Sequence, residues 1–340
     1  MKVGVVFSPV YFEHDTGEHP ENASRLEAVV SHLKESGTWE KLAHISPSPA
    51  TLEELLRVHS EGHVRYVREM AESGGGRIDA DTVISSRSFE AALYAAGGVK
   101  SALDTVMRGE GSSAFALVRP PGHHATRTQT MGFCLFNNVA VAAAHALDMY
   151  KLQRVLILDF DVHHGNGTQD IFQSEPRVCY ISVHQSPLYP GSGSVEERGT
   201  GNTFNIPLPP GCGDKEYERI YDEVVSPLAG RFKPQIVFIS AGFDAHWADE
   251  LASMCLSITG YAQIMRSIKS LADELCGGKL VLSLEGGYNR AALSGAVEAV
   301  FKVLLGEVNI EDRLGDCPSE EKAPDVTPLL EELKTAFGLV

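Results

Sequence analysis

The segment 156–167 constrains this chain most, because it changes abruptly from an apolar run to a dense group of acids, histidines and glycines. Its apolar part is typical of a buried parallel strand, and its polar part falls where such a strand meets solvent. Asp161 and His163 are two residues apart, so an extended backbone points both side chains the same way. Four ionisable residues crowded at one strand end are costly unless paired or metal-bound, which predicts a divalent metal site. An Asp/His turn without a metal is the alternative.

The overall composition indicates a folded globular protein. The chain has 340 residues, of which 43% are hydrophobic and 22% charged, enough for one large α/β domain or two small ones. It has no apolar run of about eighteen residues, and its start leads directly into the apolar stretch 3–7 instead of a signal peptide. We therefore expect a cytoplasmic protein without a membrane segment. The six cysteines include no CxxC pair, so we expect reduced thiols that mostly pack in the interior.

The net charge is strongly negative, at −16. This charge opposes contact with a phosphate backbone and favours the approach of cationic partners, so we expect no direct binding to nucleic acid. Ordinary solubility is the alternative explanation of the acidic surface.

A second apolar stretch, 114–118, ends at a tandem of histidines. Two prolines and a glycine follow it and fix a rigid turn before His123 and His124. Adjacent imidazoles suit proton transfer near neutral pH, since one can stay neutral while the other is charged. We therefore expect these histidines to act in chemistry at the carboxyl end of a strand, where α/β sheets bind their ligands.

Two more apolar stretches end in polar residues. The stretch 236–240 leads to Asp244, and 280–284 leads to a Gly-Gly pair and Tyr288. Helical patterns separate these strands, which indicates a parallel sheet with its functional groups at one edge. His59 and His63 lie four apart without the glutamate of a zinc protease helix, and we expect them to be structural.

The motifs HPENASR, RPPGHH, GFCLFNN, DFDVHHGNGTQ, SVH, YPGSG, AGFDAH and LEGGYN follow one another in this order. With them, the chain resembles the histone deacetylase superfamily, and within it the class II-like bacterial and archaeal histone deacetylase-like amidohydrolases that are related to acetylpolyamine amidohydrolases. The resemblance runs from the first strand to about residue 305. It implies an arginase/deacetylase-like three-layer α/β/α fold with a mostly parallel sheet and an active site at the carboxyl ends of the strands. We expect one catalytic domain over 1–340, with a surface loop at 309–327 and a terminal helix at 328–337.

The resemblance also implies two metal sites. One Zn²⁺ per chain would be held by Asp161, His163 and Asp244, and Fe²⁺ is the alternative ion. A structural K⁺ would be bound through backbone carbonyls, and the residues implied are Asp159, Asp161, His163, Ser182 and Val183.

The catalytic residues that the resemblance implies are His123, His124, Tyr288, Asp159 and Asn166. Asp159 would be the partner of His123. Asn166 stands where many histone-type members carry an aspartate beside the second histidine, so we expect a less basic His124. Tyr288 would donate a hydrogen bond to the scissile carbonyl. Which histidine is the base and which is the acid stays open.

Substrate-binding positions follow from the same resemblance. Gly132, Phe133 and Tyr189 match the tunnel for an alkyl chain, and Asp81 matches an aspartate at the rim that holds peptide backbone. Leu251 corresponds to the place where polyamine-selective members carry an acid, which favours acetyl-lysine. Glu250 is adjacent, however, and a shift of one residue reverses that inference.

The function implied is therefore zinc-dependent removal of acetyl or other acyl groups from N-ε-acyl-lysine in proteins or peptides. A metal-activated water would attack, the tandem histidines would act as acid and base, and the tyrosine would polarise the carbonyl. One alternative is a deacetylase of acetylpolyamines or other small N-acetylamines. The other is a non-catalytic acyl-lysine binding module, which predicts a lost metal ligand or a lost tyrosine. The oligomeric state is not predicted.

Overall fold

The computed structural model describes residues 2–319 and 322–340 of the chain. The central strands of its sheet are apolar and buried along their whole length, as expected when helices cover both faces. The strands are β1 Val3–Val6, β2 Ala43–Ile45, β3 Gly75–Arg77, β4 Val83–Ser85, β5 Ser113–Ala116, β6 Val155–Asp159, β7 Val178–Gln185, β8 Thr203–Leu208, β9 Ile236–Ala241 and β10 Leu280–Leu284.

Within the described residues, eight strands form one sheet in the order β2-β1-β5-β10-β9-β6-β7-β8, and β3 pairs with β4 in a separate antiparallel hairpin. Every neighbouring pair in the large sheet is parallel. The prediction of a mostly parallel sheet is confirmed. Parallel neighbours need crossover connections, and the helices supply them.

The helices are α1 Ser24–Glu35, α2 Leu52–Leu56, α3 Glu61–Glu72, α4 Ser88–Met107, α5 Asn138–Asp148, α6 Asn166–Phe172, α7 Asp214–Ile220, α8 Ser226–Phe232, α9 Ile258–Cys276, α10 Arg290–Leu304 and α11 Thr327–Phe337. A π-helical turn joins α7 to α8. Helix α4 packs against α5, while α10 packs against both α1 and α9. Together with the sheet they form the predicted three-layer α/β/α architecture. Within residues 2–319 and 322–340, no helix is both long and apolar enough to cross a membrane.

The sequence pattern identified the central strands but not β2 and β8. Both missed strands lie at the edges of the sheet. Strand β2 has three residues that are half-buried or exposed, so it carries little apolar signal. Strand β8 contains Pro207, whose missing amide is tolerated at a sheet edge but reads locally as a break.

Part of the segment 309–327, the acidic tail of the chain, is anchored to the rest of the molecule. Asp312 accepts hydrogen bonds from the amides of Ile258 and Thr259 at the start of α9, at 3.0 and 3.4 Å. The Trp247 indole donates to the Gly315 carbonyl at 2.9 Å. The expected loop at 309–327 is described apart from residues 320 and 321, which lie outside the described residues, and α11 begins where a terminal helix was expected.

Two of the six cysteines lie together. The buried ones are Cys134, Cys179, Cys212 and Cys276. Cys255 and Cys317 are half-buried, and their Sγ atoms are 2.8 Å apart. The expectation that cysteines mostly pack in the interior therefore describes four of them.

Candidate active site

Three potential metal ligands converge at the carboxyl ends of the adjacent strands β6 and β9. Asp161 and His163 follow β6, and Asp244 follows β9, so parallel pairing of the two strands brings the three side chains to one point. All three are largely buried, and their ligand atoms lie within 4.8 Å of one another. His163 Nδ1 is 3.1 Å from Asp161 Oδ1 and 3.2 Å from Asp244 Oδ2. The structure thus brings together the three predicted ligands.

Backbone amides orient both carboxylates. The Gly286 amide donates to Asp161 Oδ2 at 2.8 Å, and the Val162 amide donates to Asp244 Oδ1 at 3.0 Å. Such outer hydrogen bonds hold ligand oxygens in place before an ion binds. Each carboxylate keeps its remaining oxygen directed at the imidazole of His163.

The three side chains fit a divalent cation. Asp244 Oδ2 is buried and accepts no well-formed hydrogen bond, although His163 Nδ1 is nearby. Burial and the charge of Asp161 raise the pKa of Asp244 to about 6. Burial alone would lower the pKa of His163, but hydrogen bonds and charge from the two aspartates outweigh it and raise that pKa to about 10. The cluster therefore favours positive charge at its centre, and one imidazole with two carboxylates suits zinc or iron(II).

The tandem histidines lie beside this cluster with different partners. His123 Nδ1 is 3.2 Å from Asp159 Oδ2, which also accepts a hydrogen bond from the Tyr180 hydroxyl at 2.9 Å. His124 Nδ1 is 2.7 Å from Asn166 Oδ1. The two imidazole centroids are 4.0 Å apart. Both pairings are those predicted for the two histidines.

The surroundings separate the pKa values of the two histidines. Burial opposes a charge on His123, but Asp161 and Asp159 outweigh it and raise its pKa to about 10. Burial, and then the charges of His123 and His163, hold the pKa of His124 well below its usual value. A dication at the cluster would add positive charge beside both rings. The pair thus offers one imidazole that readily holds a proton and one that readily gives it up.

Glu285 fixes the turn that carries the histidines. This buried carboxylate follows β10, and its Oε2 accepts from the amides of Gly122 and His123 at 2.6 and 3.1 Å. Burial raises the pKa of Glu285 to about 7. Glu285 has no local signal of this role in the sequence, because its partners are about 160 residues away along the chain.

Tyr288 lies in the loop after β10 and is held by Arg25. The Arg25 guanidinium is 4.8 Å from the centroid of the Tyr288 ring, and it donates to the carbonyls of Glu285 and Gly287 at 2.7 and 2.6 Å. The Phe133 ring meets Tyr288 edge-on at 5.7 Å. Burial raises the pKa of Tyr288 well above its usual value, so its hydroxyl stays protonated.

A buried ion network anchors Arg25. Glu21 Oε1 is 3.0 Å from Arg25 Nη1 and also accepts from Arg119 Nε, and all three side chains are inaccessible to solvent. Burial opposes ionisation of Glu21, but the charge and hydrogen bonds of Arg119 outweigh it and lower its pKa to about 2. In the sequence this segment stands only as the motif HPENASR, which by itself indicates no role for Glu21 or Arg25. Its function in holding Arg25 depends on contacts with distant strand ends.

Two of the three residues predicted to line a tunnel, Gly132 and Tyr189, lie against His124, and the third is Phe133. A Cβ at Gly132 would lie 2.3 Å from His124 Cδ2, and the backbone there has a φ of +54°, so this position favours glycine. The Tyr189 ring lies 5.1 Å from that of His124 and 6.3 Å from that of His163. The Phe133 ring instead contacts the rings of His19 and Tyr288, with centroids at 4.5 and 5.7 Å.

The predicted rim residues lie further out. The Asp81 carbonyl is 2.9 Å from His19 Nε2, which ties the β3–β4 hairpin to the segment before α1. Leu251 and Glu250 both face one cavity of about 650 Å³ beside Tyr288. Other residues lining it include Glu18, His19, Arg25 and Arg290. Because both candidates for the gate position line this cavity, its lining does not choose between them.

The predicted potassium residues Ser182 and Val183 belong to β7, and the Ser182 hydroxyl lies 2.9 Å from His184 Nδ1. The potassium site stays a prediction. His59 and His63 have partners in the backbone: His59 Nδ1 is 2.9 Å from the Thr126 carbonyl, and His63 Nε2 is 2.8 Å from the Leu135 carbonyl. They hold the segment between the tandem histidines and α5, as expected for structural residues.

Comparison with known proteins gives consistent matches along most of the chain. Residues 19–304 match the family model described as "Histone deacetylase domain". The chain is 45% identical over 296 residues to a "Probable deacetylase" of Archaeoglobus fulgidus, which covers 85% of this chain and 82% of the relative. It is 38% identical to a "Histone deacetylase-like amidohydrolase" of Pseudomonas aeruginosa, with 95% and 87% covered. The crystal structure of the HDA15 HD domain matches with a TM-score of 0.89 at 35% identity, over 99% of this chain and 94% of that one.

Proposed function

Because the chain belongs to the histone deacetylase family, we propose that it is a zinc-dependent amidohydrolase that removes acetyl groups from N-ε-acetyl-lysine in peptides or proteins. The observation that carries the proposal is the buried cluster of Asp161, His163 and Asp244, with the tandem histidines and a protonated Tyr288 beside it. The described residues form one catalytic domain in this proposal.

Asp161, His163 and Asp244 would hold the ion, Zn²⁺ or alternatively Fe²⁺, which when bound supplies Lewis-acid polarisation of the acyl carbonyl and a water of lowered pKa. The tandem histidines take the proton from the attacking water and later give a proton to the leaving amine. The Tyr288 hydroxyl donates a hydrogen bond to the carbonyl oxygen, where negative charge develops. Water adds to the carbonyl carbon, the C–N bond breaks, and the products are acetate and the lysine amine.

The two histidines have different hydrogen-bond partners, which supports their proposed use as a pair for proton transfer. Asp159 stabilises positive charge on His123, whereas Asn166 offers His124 only an amide oxygen. Either histidine is close enough to the cluster to exchange a proton there, and the pair acts as one unit. The proposal also includes a structural K⁺. Its ligands would be the backbone carbonyls of Asp159, Asp161, His163, Ser182 and Val183.

Acetyl-lysine is the proposed substrate because the resemblance assigns Leu251, not an acid, to the gate position and Asp81 to the rim. An apolar Leu251 at the gate position would give an acetyl-lysine side chain an apolar contact there, and Asp81 would offer a carboxylate to peptide backbone amides. A second candidate is an acetylated polyamine, which the acidic side chains of Glu18 and Glu250 around the 650 Å³ cavity favour. The acyl-lysine binding module is the weaker alternative, since no predicted ligand or catalytic side chain is replaced. No nucleic-acid partner is proposed, and cytoplasmic location stays a prediction.

The test is acetate release by the zinc-loaded protein from an acetyl-lysine peptide and, separately, from acetylputrescine and acetylspermidine. Turnover of the peptide with little turnover of the polyamines supports the proposal. Preference for the polyamines would replace it with the second candidate, and Glu250→Gln should then remove that preference. Zinc binding without cleavage of any of these would favour the binding module.

Tyr288→Phe is the matched control for that assay. It removes one hydroxyl from the site and keeps the ring that packs against Arg25 and Phe133. We expect kcat to fall by about 100- to 1000-fold, the usual loss for one donor to a developing oxyanion, while zinc content is unchanged. Wild-type activity in this variant would exclude the assigned role of Tyr288.

A further inference from the structure

Asp249 is a buried carboxylate outside the metal cluster. It lies five residues after Asp244 and two before Leu251, and only 5% of its surface is exposed. Its Oδ2 accepts from the amides of Tyr288 and Asn289 at 2.6 and 3.0 Å. Its Oδ1 accepts from the Leu251 amide at 3.1 Å. Three backbone N–H groups, one of them that of Tyr288 itself, therefore converge on a single side chain.

The loop that carries Tyr288 is held from two sides by opposite charges. Arg25 donates to the carbonyls of Glu285 and Gly287, whereas Asp249 accepts from the amides of Tyr288 and Asn289. Charged partners make such hydrogen bonds roughly twice as strong as neutral ones. The Tyr288 residue lies between these attachments, so its backbone direction is defined on both sides.

The attachment to Asp249 also crosses between two strand ends. The Asn289 side-chain amide donates to the Ala248 carbonyl at 2.9 Å, next to the Asp249 contacts. The segment after β9 and the loop after β10 are thus joined at two adjacent residues. Burial raises the pKa of Asp249. Hydrogen bonds from the amides of Tyr288, Asn289 and Leu251 oppose that shift, so these amides stabilise the ionised form of the carboxylate.

We propose that Asp249 is a positioning residue for the reaction. Its carboxylate sets the backbone at Tyr288, and through it the direction of the hydroxyl, and it fixes Leu251 at the rim with its other oxygen. The proposal rests on the proposed function, because it takes the Tyr288 hydroxyl as the donor to the acyl carbonyl. A misplacement of about 1 Å at a reacting group can cost about 100-fold in rate, so a side chain that touches no substrate can still control turnover.

Asp249→Asn is the direct test, because it keeps the size of the side chain but replaces one acceptor oxygen by an N–H₂ group. That group must face either the Leu251 amide or the amides of Tyr288 and Asn289. We expect kcat on the acetyl-lysine peptide to fall by about 10- to 100-fold, with KM within threefold and zinc content unchanged. Wild-type kcat in a folded, zinc-loaded Asp249→Asn protein would overturn the proposal.

Asp312→Asn is the matched control. Asp312 also accepts from several backbone amides, those of Ile258, Thr259, Leu314 and Gly315, but none belongs to the site. We expect this variant to lose thermal stability without a change in kcat. If both variants lose kcat in proportion to their loss of stability, Asp249 has only a structural role.

A double-mutant cycle with Tyr288→Phe separates positioning from general damage. If Asp249 acts through the Tyr288 hydroxyl, Asp249→Asn should cost less than threefold in the Tyr288→Phe background. Multiplication of the two losses would contradict the proposal. If Asp249→Asn does not fold, Asp249→Glu is measured in the same cycle, since it keeps the charge and displaces the carboxylate.

Amide hydrogen exchange provides a readout that does not need activity. Faster exchange at Tyr288 and Asn289 in Asp249→Asn, with no change in the core strand β10, is the expected result. Unchanged exchange at both amides would overturn the proposal. Should the wild-type protein cleave no acylated amine, the proposed function fails, and exchange still decides whether Asp249 orders the loop.

Discussion

At the scale of single residues, the site depends on close contacts that leave little room for change. Gly132 lies against the His124 ring, where even one carbon atom would overlap it. Asp161 and Asp244 are both held by backbone amides, and each directs one oxygen at His163. Small substitutions at these positions should therefore act on chemistry or metal binding more than on the fold.

Gly132→Ala should lower kcat at least about tenfold, because the added methyl must displace the imidazole of His124 by more than an ångström. The measurement is peptide deacetylation together with zinc content, which should not change. Gly109→Ala is the control, since Gly109 has a similar φ of +72° but open space around it. Both variants carry the left-handed backbone penalty of about 1 kcal/mol, so equal loss of activity would exclude the contact with His124 as the cause.

Asp161→Asn should reduce zinc retained after dialysis to well below one ion per chain, because an amide oxygen is a poorer ligand than a carboxylate. Metal content is measured by elemental analysis, and folding by circular dichroism. Glu250→Gln, which removes an exposed acid outside the cluster, should retain zinc. Full zinc retention by Asp161→Asn would show that the cluster is not the metal site.

At the scale of elements, the segment between β9 and α9 joins several parts of the site. It carries a predicted metal ligand, the carboxylate that holds the Tyr288 loop, and the rim residue Leu251. The acidic tail packs against the end of this segment through Asp312 and Cys317. The tail thus packs against the start of α9 and against Cys255, outside the active site, although its sequence alone indicated a surface loop.

The Cys255–Cys317 contact predicts a disulfide on mild oxidation. The Sγ atoms are 2.8 Å apart, and a disulfide needs about 2.05 Å, so a small movement closes the bond. Treatment with a low-molecular-weight disulfide should oxidise both thiols, with the reagent reduced, and peptide mapping should find these two residues linked. Cys317→Ser should abolish the link, whereas Cys179→Ser, at a buried site, should not. A link between other cysteines would contradict the prediction.

At the scale of the whole molecule, buried polar groups hold the strand ends to the surrounding loops. The ion network of Glu21, Arg25 and Arg119 is inaccessible to solvent, and His14 and His59 are buried as well. Burial lowers the pKa of His14 to about 4, since the charge of Glu21, which raises that pKa, is opposed by the charge of Arg119. Burial and the charge of His63 lower the pKa of His59 to about 3. These histidines are neutral in the folded chain at pH values where the unfolded chain protonates them.

Stability should therefore fall as pH decreases below about 6.5, the ordinary pKa of histidine. Between that value and their lowered pKa values, these histidines bind protons only in the unfolded state, so each costs up to about 1.4 kcal/mol per pH unit. Protonation of the buried Glu285 and Asp244 in the folded state, whose pKa values are raised to about 7 and about 6, offsets part of that loss. The measurement is the free energy of unfolding in urea, with a chelator present, between about pH 7 and about pH 5. The slope should be smaller in His59→Gln, and an unchanged slope would contradict the assignment to His59.

Local sequence determined much of the architecture and part of the site. The apolar runs located β5, β6, β9 and β10 because buried parallel strands need continuous apolar residues. The spacing of Asp161 and His163 indicated a metal site because both ligands lie on one strand end. The remaining site residues came from ordered motifs resembling a known family.

Tertiary structure alone decided how distant segments meet. Asp244 reaches Asp161 only because β9 pairs with β6, and no local pattern encodes that pairing. The roles of Arg25, Glu285 and Asp249 are likewise contacts to loops on other strands. The reason is physical: periodicity reports which side of an element is buried, whereas hydrogen bonds to a distant loop depend on strand order and crossover geometry.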